Sequence, residues 1–156
     1  MIKDSGNRRE FDSGAVRDIA EGKGRCDLLP LDVIGAVNHD IILSEIGSYV
    51  NYGHYVNLQN ALTEFQALVG WTFSDMCLEV SKHYEEGAKK YEERNWEKGI
   101  PLHCYIDSGV RHYLKWLNGE KDERHDRAFV WNILGALWTK VHKPEMIDLP
   151  FKENEK

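Results

Sequence analysis

The chain has 156 residues, a formal charge of −6, and 42% hydrophobic against 29% charged residues. That length suits one domain with its own core, and the balance excludes wholesale disorder. A net acidic chain is a poor non-specific ligand for a nucleic-acid polymer, because neutralising phosphates takes basic surface. A polyphosphate stays within reach where a bound cation and a few local Lys and Arg supply positive charge. Cys26, Cys77 and Cys104 have no CxxC spacing and are read as free thiols in a reducing cytoplasm. No apolar run approaches the ~20 residues of a membrane span. The polar start MIKDSGNRREFDSG lacks a signal-peptide core. A cytoplasmic protein is expected.

Residues 1–30 are rich in glycine and charge and predict an irregular N-terminal arm. Arg17, Lys23 and Arg25 are interspersed with glycines there. They have two readings: cations on a backbone that approaches phosphates closely, or solvated charges of a mobile arm. From residue 31 the pattern is helical, with Asp32 as the expected N-cap after Pro30. Gly53 breaks it, and Asn57 is the expected cap of a helix through Leu58, Leu62, Phe65 and Val69, which Gly70 stops. His39 and His54 have no neighbours at ligand spacing.

Ser74 or Asp75 is the expected cap of the next helix, which runs toward Arg94. Glu79, His83 and Glu86 fall on it at i, i+4 and i+7, one stripe of carboxylates and imidazole. Gly87 lies inside it, where a missing side chain lets a helix or a ligand come close. Gly99 and Pro101 break the pattern, leaving Asn95 and Trp96 in a loop. Asn95 suits reading a base edge, and Trp96 suits either stacking on a base or packing the loop onto the core.

Ile106, Val110, Tyr113, Leu114 and Leu117 form the face of a further helix, with Asp107 and Arg111 spaced as an i,i+4 ion pair. After Gly119 comes EKDERHD, six charged residues in seven, ordinarily a solvated turn. Here it lies between two apolar helices and beside His112 and His125. The last helix is apolar nearly all round, so it belongs at the centre of the bundle. Asn132 interrupts that surface on the same face as His125. Pro144 ends the helix, and residues 144–156 read as a mobile polar tail. No strand pattern of useful length is present, so the fold class is all-α.

Two helices that turn carboxylates and imidazoles toward each other can hold a divalent cation. The candidate ligands are Glu79, His83 and Glu86 from one segment and Glu120, Asp122, His125 and Asp126 from the other. Carboxylates outnumber imidazoles, which favours Mg²⁺ or Mn²⁺. One carboxylate left off the metal, from Glu86, Glu120 or Asp122, is the expected general base. Lys23, Arg25, Lys90 and Arg111 are candidate phosphate contacts, Asn95 and Trp96 candidate base contacts, and His112 and Asn132 complete the expected substrate contacts. No P-loop, GxGxxG or GxSxG is present.

The blocks GAVRDIAEGKGRCDLLP and, from Glu79 to Trp138, GAKKY, RNWEKG and DSGVRHYLKWLNGE with the D/H cluster after them resemble the phage and bacterial dATP/dGTP diphosphohydrolase domain family. That family is similar to the MazG-like all-α nucleotide pyrophosphohydrolases. The resemblance implies a MazG-like helical bundle over residues 31–143, with 38–75 as a helical insert. It implies cleavage of a purine deoxynucleoside triphosphate to the monophosphate and pyrophosphate with Mg²⁺ or Mn²⁺. It also implies a homo-oligomer, dimer or tetramer. By position, Lys90, Asn95 and Trp96 match one element, and Arg111, His112, Glu120, Asp122 and His125 match the other. The chain departs from MazG-like enzymes in lacking EExxE, and its only ExxD is Glu123–Asp126. The alternative function is a non-catalytic protein that sequesters a nucleotide.

Overall fold

A computed structural model of the chain describes residues 4–154; the first three residues of the expected arm and the last two of the tail lie outside that range. The arm is more regular than its composition suggests. Strands β1 (Arg8–Glu10) and β2 (Val16–Asp18) pair antiparallel, with Arg8 opposite Asp18 and Glu10 opposite Val16. Gly14, at φ 91°, turns the chain between them in a conformation that a side chain disfavours.

Seven helices follow among the described residues: α1 (Leu31–Val37), α2 (Ile41–Tyr52), α3 (Tyr55–Val69), α4 (Phe73–Lys90), α5 (Leu102–Leu117), α6 (His125–His142) and α7 (Phe151–Asn154). The fold is all-α apart from the small hairpin. Helix α6 packs against α5, α4 and α3, so the nearly all-apolar helix is central. Phe65 of α3 is the aromatic hub. It meets Trp116 edge-on at 5.2 Å and Phe129 at 4.5 Å between ring centroids, tying α3 to α5 and α6. Helices α5 and α6 approach closely because Gly135 has no side chain: a Cβ there would lie 2.3 Å from the Tyr105 ring.

Helix starts differ from the sequence expectation where a better cap competes. Thr72, not Ser74 or Asp75, caps α4. Its hydroxyl accepts from Asp75 N at 3.1 Å while the Asp75 carboxylate accepts from Thr72 N at 3.0 Å, a reciprocal capping box. Helix α4 ends at Lys90, short of Arg94, because Tyr91 leaves the helical region at φ −112°, ψ −93°. Helix α1 starts from Pro30, leaving Asp32 inside its first turn. Helix α3 starts directly after Gly53 and His54, and Asn57 instead donates to Glu45 at 2.8 Å.

The C-terminal segment is docked rather than a mobile tail. Ile147, Leu149 and Phe151 alternate along the chain and are buried, and Phe151 stands edge-on to Tyr49 at 5.4 Å. Burying the Phe151 side chain contributes about 1.5–3 kcal/mol. The segment is pinned to the start of α5, where Asp148 accepts from the backbone N of His103 at 2.9 Å and from its ring.

That pinning titrates. Hydrogen bonds to Asp148, then to Cys104, raise the His103 pKa to about 10 against burial. Burial would raise the Asp148 pKa, but the bonds from His103 outweigh it and hold it low. The raised imidazole pKa stabilises the fold fully below the unfolded value near about 6.5, and this is lost as pH climbs toward 10. Partial exposure limits the effect to about 1 kcal/mol, or about 2–4 °C in Tm. Thermal melts should therefore show wild type losing that margin over His103→Gln between pH 6.5 and 10. A constant gap would contradict it.

Candidate active site

The arm, α4, the turn after it, α5 and α6 enclose one cavity of about 450 Å³, within the range of a small-molecule site. Seven Lys and Arg line it (Arg9, Arg17, Lys23, Lys90, Arg94, Arg111 and Lys115) against four carboxylates (Asp18, Glu92, Asp107 and Glu123). A chain of net charge −6 thus lines this cavity with an excess of three positive charges. Tyr84, Trp96 and Trp131 supply aromatic wall. Gly87 opens onto the same space, where a Cβ would meet nothing within 4 Å.

Long-range polar contacts fix the arm over the cavity. The Asn95 side chain donates to Val16 O and accepts from Val16 N, both at 2.8 Å, as a neighbouring strand would. The amide is thereby engaged with the arm and not turned to a base. Buried Asp107 accepts from Cys26 N at 2.7 Å and from Arg111 at 2.5 Å, and Arg111 also donates to Gly24 O at 2.8 Å. Arg111 is thus both a clamp on the arm and a cavity cation.

The turn after α5 carries the second feature. Gly119, at φ 72°, ends α5, and residues 120–124 lead back so that His125, the first residue of α6, lies against His112. The two Nδ1 atoms are 2.9 Å apart, and Asp122 accepts from His125 Nε2 at 2.8 Å. With Asp122 accepting from His125 Nε2, the His125 Nδ1 is the atom left to accept, either from His112 or, in place of that contact, from a cation. Burial, then the neighbouring His125, holds the His112 pKa well below the usual imidazole range.

Two trios here bring their ligand atoms within 4.8 Å: His112, Glu123 and His125, and Glu120, Asp122 and His125. Both suit a divalent cation, and His125 belongs to each. The first is the trio that meets the cavity, through His112 and Glu123. Its two imidazoles and one carboxylate fit Mn²⁺ or a softer ion better than Mg²⁺, which prefers oxygen ligands.

The structure separates the other expected ligands from these trios. Glu79 accepts from Arg127 at 2.6 Å and Arg124 at 3.3 Å, and Asp126 accepts from Arg124 at 2.9 Å. Arg127, first among the causes, holds the Glu79 pKa low. This ion-pair cluster joins α4 to α6. His83 lines the cavity beside Trp131 at 5.8 Å, and burial lowers its pKa to about 4, so it is neutral at pH 7. Glu86, half-buried on α4, joins neither trio among the described residues.

The expected substrate contacts also divide. Lys23, Lys90, Asn95, Trp96, Arg111, His112 and Asn132 line the cavity, Asn95 with its amide held by Val16. Lys23 pairs with Asp18 at 3.3 Å, and burial lowers the Lys90 pKa. Trp96 packs edge-on against Trp138 at 5.0 Å, the packing reading, and also borders the cavity. Arg25 lies outside the cavity, its fork engaged by Asp27 at 2.7 and 2.8 Å. Ser108 and Lys115 were missed. Their spacing of three and four from Arg111 puts them on its face of α5, a signal the sequence carried. Trp131 reads as core in an apolar helix, and nothing local distinguishes it.

The family model described as dATP/dGTP diphosphohydrolase, N-terminal, matches residues 59–149, more than half of the chain. No curated protein and no solved structure matches it. The matched span holds the α4, α5 and α6 walls of the cavity and both His/carboxylate trios, while the arm, α1 and α2 lie outside it. The chain belongs to the dATP/dGTP diphosphohydrolase N-terminal family.

Proposed function

We propose that this chain hydrolyses a purine deoxynucleoside triphosphate, dATP or dGTP, to the monophosphate and pyrophosphate with the help of Mn²⁺ or Mg²⁺. One observation carries the reading. His112 and Glu123 belong at once to the wall of a cation-lined cavity and to a trio suited to a divalent ion. A phosphoanhydride site needs that pairing: positive charge on the leaving phosphates, and a cation beside the reacting phosphorus. The family's name supports the same substrate class.

In this reading water adds to the α-phosphorus and gives up a proton to bulk solvent, the bond from phosphorus to the bridging oxygen breaks, and pyrophosphate leaves. His112, Glu123 and His125 would hold the ion, and it would supply polarisation of the phosphate oxygens. Asp122 acts through His125 by fixing its ring and tautomer. Of the other lining carboxylates, Asp18 pairs with Lys23, Glu92 with Lys98 and Asp107 with Arg111, so they blunt their partners rather than contact phosphate. Lys90 and Lys115 face the phosphate chain, and Trp131, Trp96 and Tyr84 offer faces and edges to the purine. His83, neutral at the aromatic side, serves that pocket without adding charge.

The test is product analysis with dGTP and dATP in Mn²⁺, in Mg²⁺ and with chelator. Equal amounts of monophosphate and pyrophosphate are expected, faster with Mn²⁺ and absent with chelator. Orthophosphate as the product would contradict the reading. Tight dGTP binding with no pyrophosphate in any metal would make the chain a capture protein instead.

A further inference from the structure

Arg17 differs from the ion-paired cations of the cavity wall; Arg9, which lies over the Phe11 ring and also has a covered Nε without a partner, and Lys115 pair with no carboxylate among the described residues either. Lys23, Lys90, Arg94 and Arg111 each have a carboxylate partner, respectively Asp18, Asp4, Glu97 and Asp107. Arg17 has no ion pair among the described residues. Its Nη2 donates to the Asn132 side-chain oxygen at 3.3 Å, and its Nη1 is shut off from solvent with no hydrogen-bond partner. The guanidinium sits 5.4 Å from the centroid of Trp131 and 5.7 Å from that of Tyr105.

A guanidinium cannot escape burial by losing its proton at any ordinary pH, so the charge stays and its lost hydration must be offset. Two ring faces and one long hydrogen bond offset part of it. Burial lowers the Arg17 pKa, and no carboxylate opposes that. The missing partner is an anion with oxygens, and the partly exposed Arg17 borders the cavity that would bring one, its covered Nη1 turning out to meet it.

Arg17 also reaches this place by construction. It lies on β2, one residue after Val16, whose backbone N and O are both held by Asn95. Ser13 donates to Gly99 O on the same side. Residue 17 is outside the span shared with the family, so the arm brings to the cavity something the matched region does not contain.

We propose that Arg17 is a phosphate ligand of the bound nucleotide, supplied to the cavity in cis by the N-terminal arm. The proposal rests on the triphosphate reading above. It makes the arm part of the site and gives the triphosphate a role in holding the arm closed.

The test compares wild type with R17M and R17K by calorimetric binding of dGTP and of inorganic tripolyphosphate, and by melting without ligand. R17M is expected to weaken both ligands by about tenfold or more, as loss of a charged hydrogen-bonding fork does. It should melt at or above the wild-type temperature, because a half-buried unpaired charge has gone. R17K keeps the charge and loses the fork, so it should bind both ligands more weakly than wild type and still fold. Wild-type affinity in R17M or R17K overturns the proposal and leaves the reading of the cavity intact. So does R17M that loses dGTP but keeps tripolyphosphate, which would place Arg17 at the base. Failure of wild type itself to bind dGTP or tripolyphosphate would instead sink the triphosphate reading.

Discussion

Replacing His125 with Gln is expected to lower metal-dependent turnover of dGTP by about 100-fold or more, since even groups behind a metal ligand carry about 10–100-fold. That is about 2.7 kcal/mol of transition-state stabilisation. The reason is geometric. His125 is shared by both trios, so its loss dismantles each at once. It also strips His112 of its hydrogen-bonding partner and Asp122 of the ring it orients. The paired control is Glu79→Gln. Glu79 stands at ligand spacing on the α4 stripe, yet it is committed to Arg127 and Arg124. Glu79→Gln should therefore keep turnover within a few-fold of wild type while loosening the joint between α4 and α6. Steady-state rates over a Mn²⁺ titration separate the two sites. Equal losses in both variants would return the metal to the α4 stripe.

Gly87→Leu is expected to block nucleotide binding while leaving the fold as stable as before or more so. Gly87 sits within α4, faces the cavity, and has no atom within 4 Å of where a Cβ would stand. A Cβ there meets no clash, and the cavity beyond gives the rest of a leucine somewhere to go. The leucine relieves the helix of glycine's excess backbone freedom, worth about 0.5–1 kcal/mol. Its side chain occupies space beside Lys90 and Tyr84 that the ligand needs. The Kd for dGTP should rise by about tenfold or more, as for any ligand denied part of its pocket. Tm should hold or rise by about 2–4 °C. Fluorescence melting and calorimetry on one sample check both. Unchanged dGTP affinity would remove the cavity from the account.

The helices were legible because their signals are local. Apolar spacing marked α3 to α6, and Gly53, Gly70 and Gly119 stopped helices where the chain turns left-handed. The all-round apolar character of α6 placed it at the centre. What was lost involves partners far along the chain or competition between neighbours. Thr72 outcompetes Ser74 for the α4 cap because Asp75 can answer it. The tail docks because Ile147, Leu149 and Phe151 alternate within a polar stretch whose average hides them.

The site divides in the same way. The EKDERHD run has the composition of a solvated turn, yet it closes on His112 because two apolar helices hold its ends together. His125 is buried within it, which charge counting cannot show. On α4, spacing correctly put Glu79, His83 and Glu86 on one stripe, but spacing cannot say that Arg127 and Arg124 wait across from Glu79. Arg17 meets Asn132, 115 residues away, through a strand pairing too short for composition to reveal.

The central claim is that a divalent cation and a nucleotide meet at the wall made by His112 and Glu123. Mn²⁺ titration followed by electron paramagnetic resonance, with and without dGTP, tests it most directly. The account predicts a saturable Mn²⁺ site that is lost in His125→Gln and tightened by dGTP, with dGTP tightened by Mn²⁺ to the same factor as linkage requires. A Mn²⁺ titration indifferent to both His125→Gln and dGTP would contradict it.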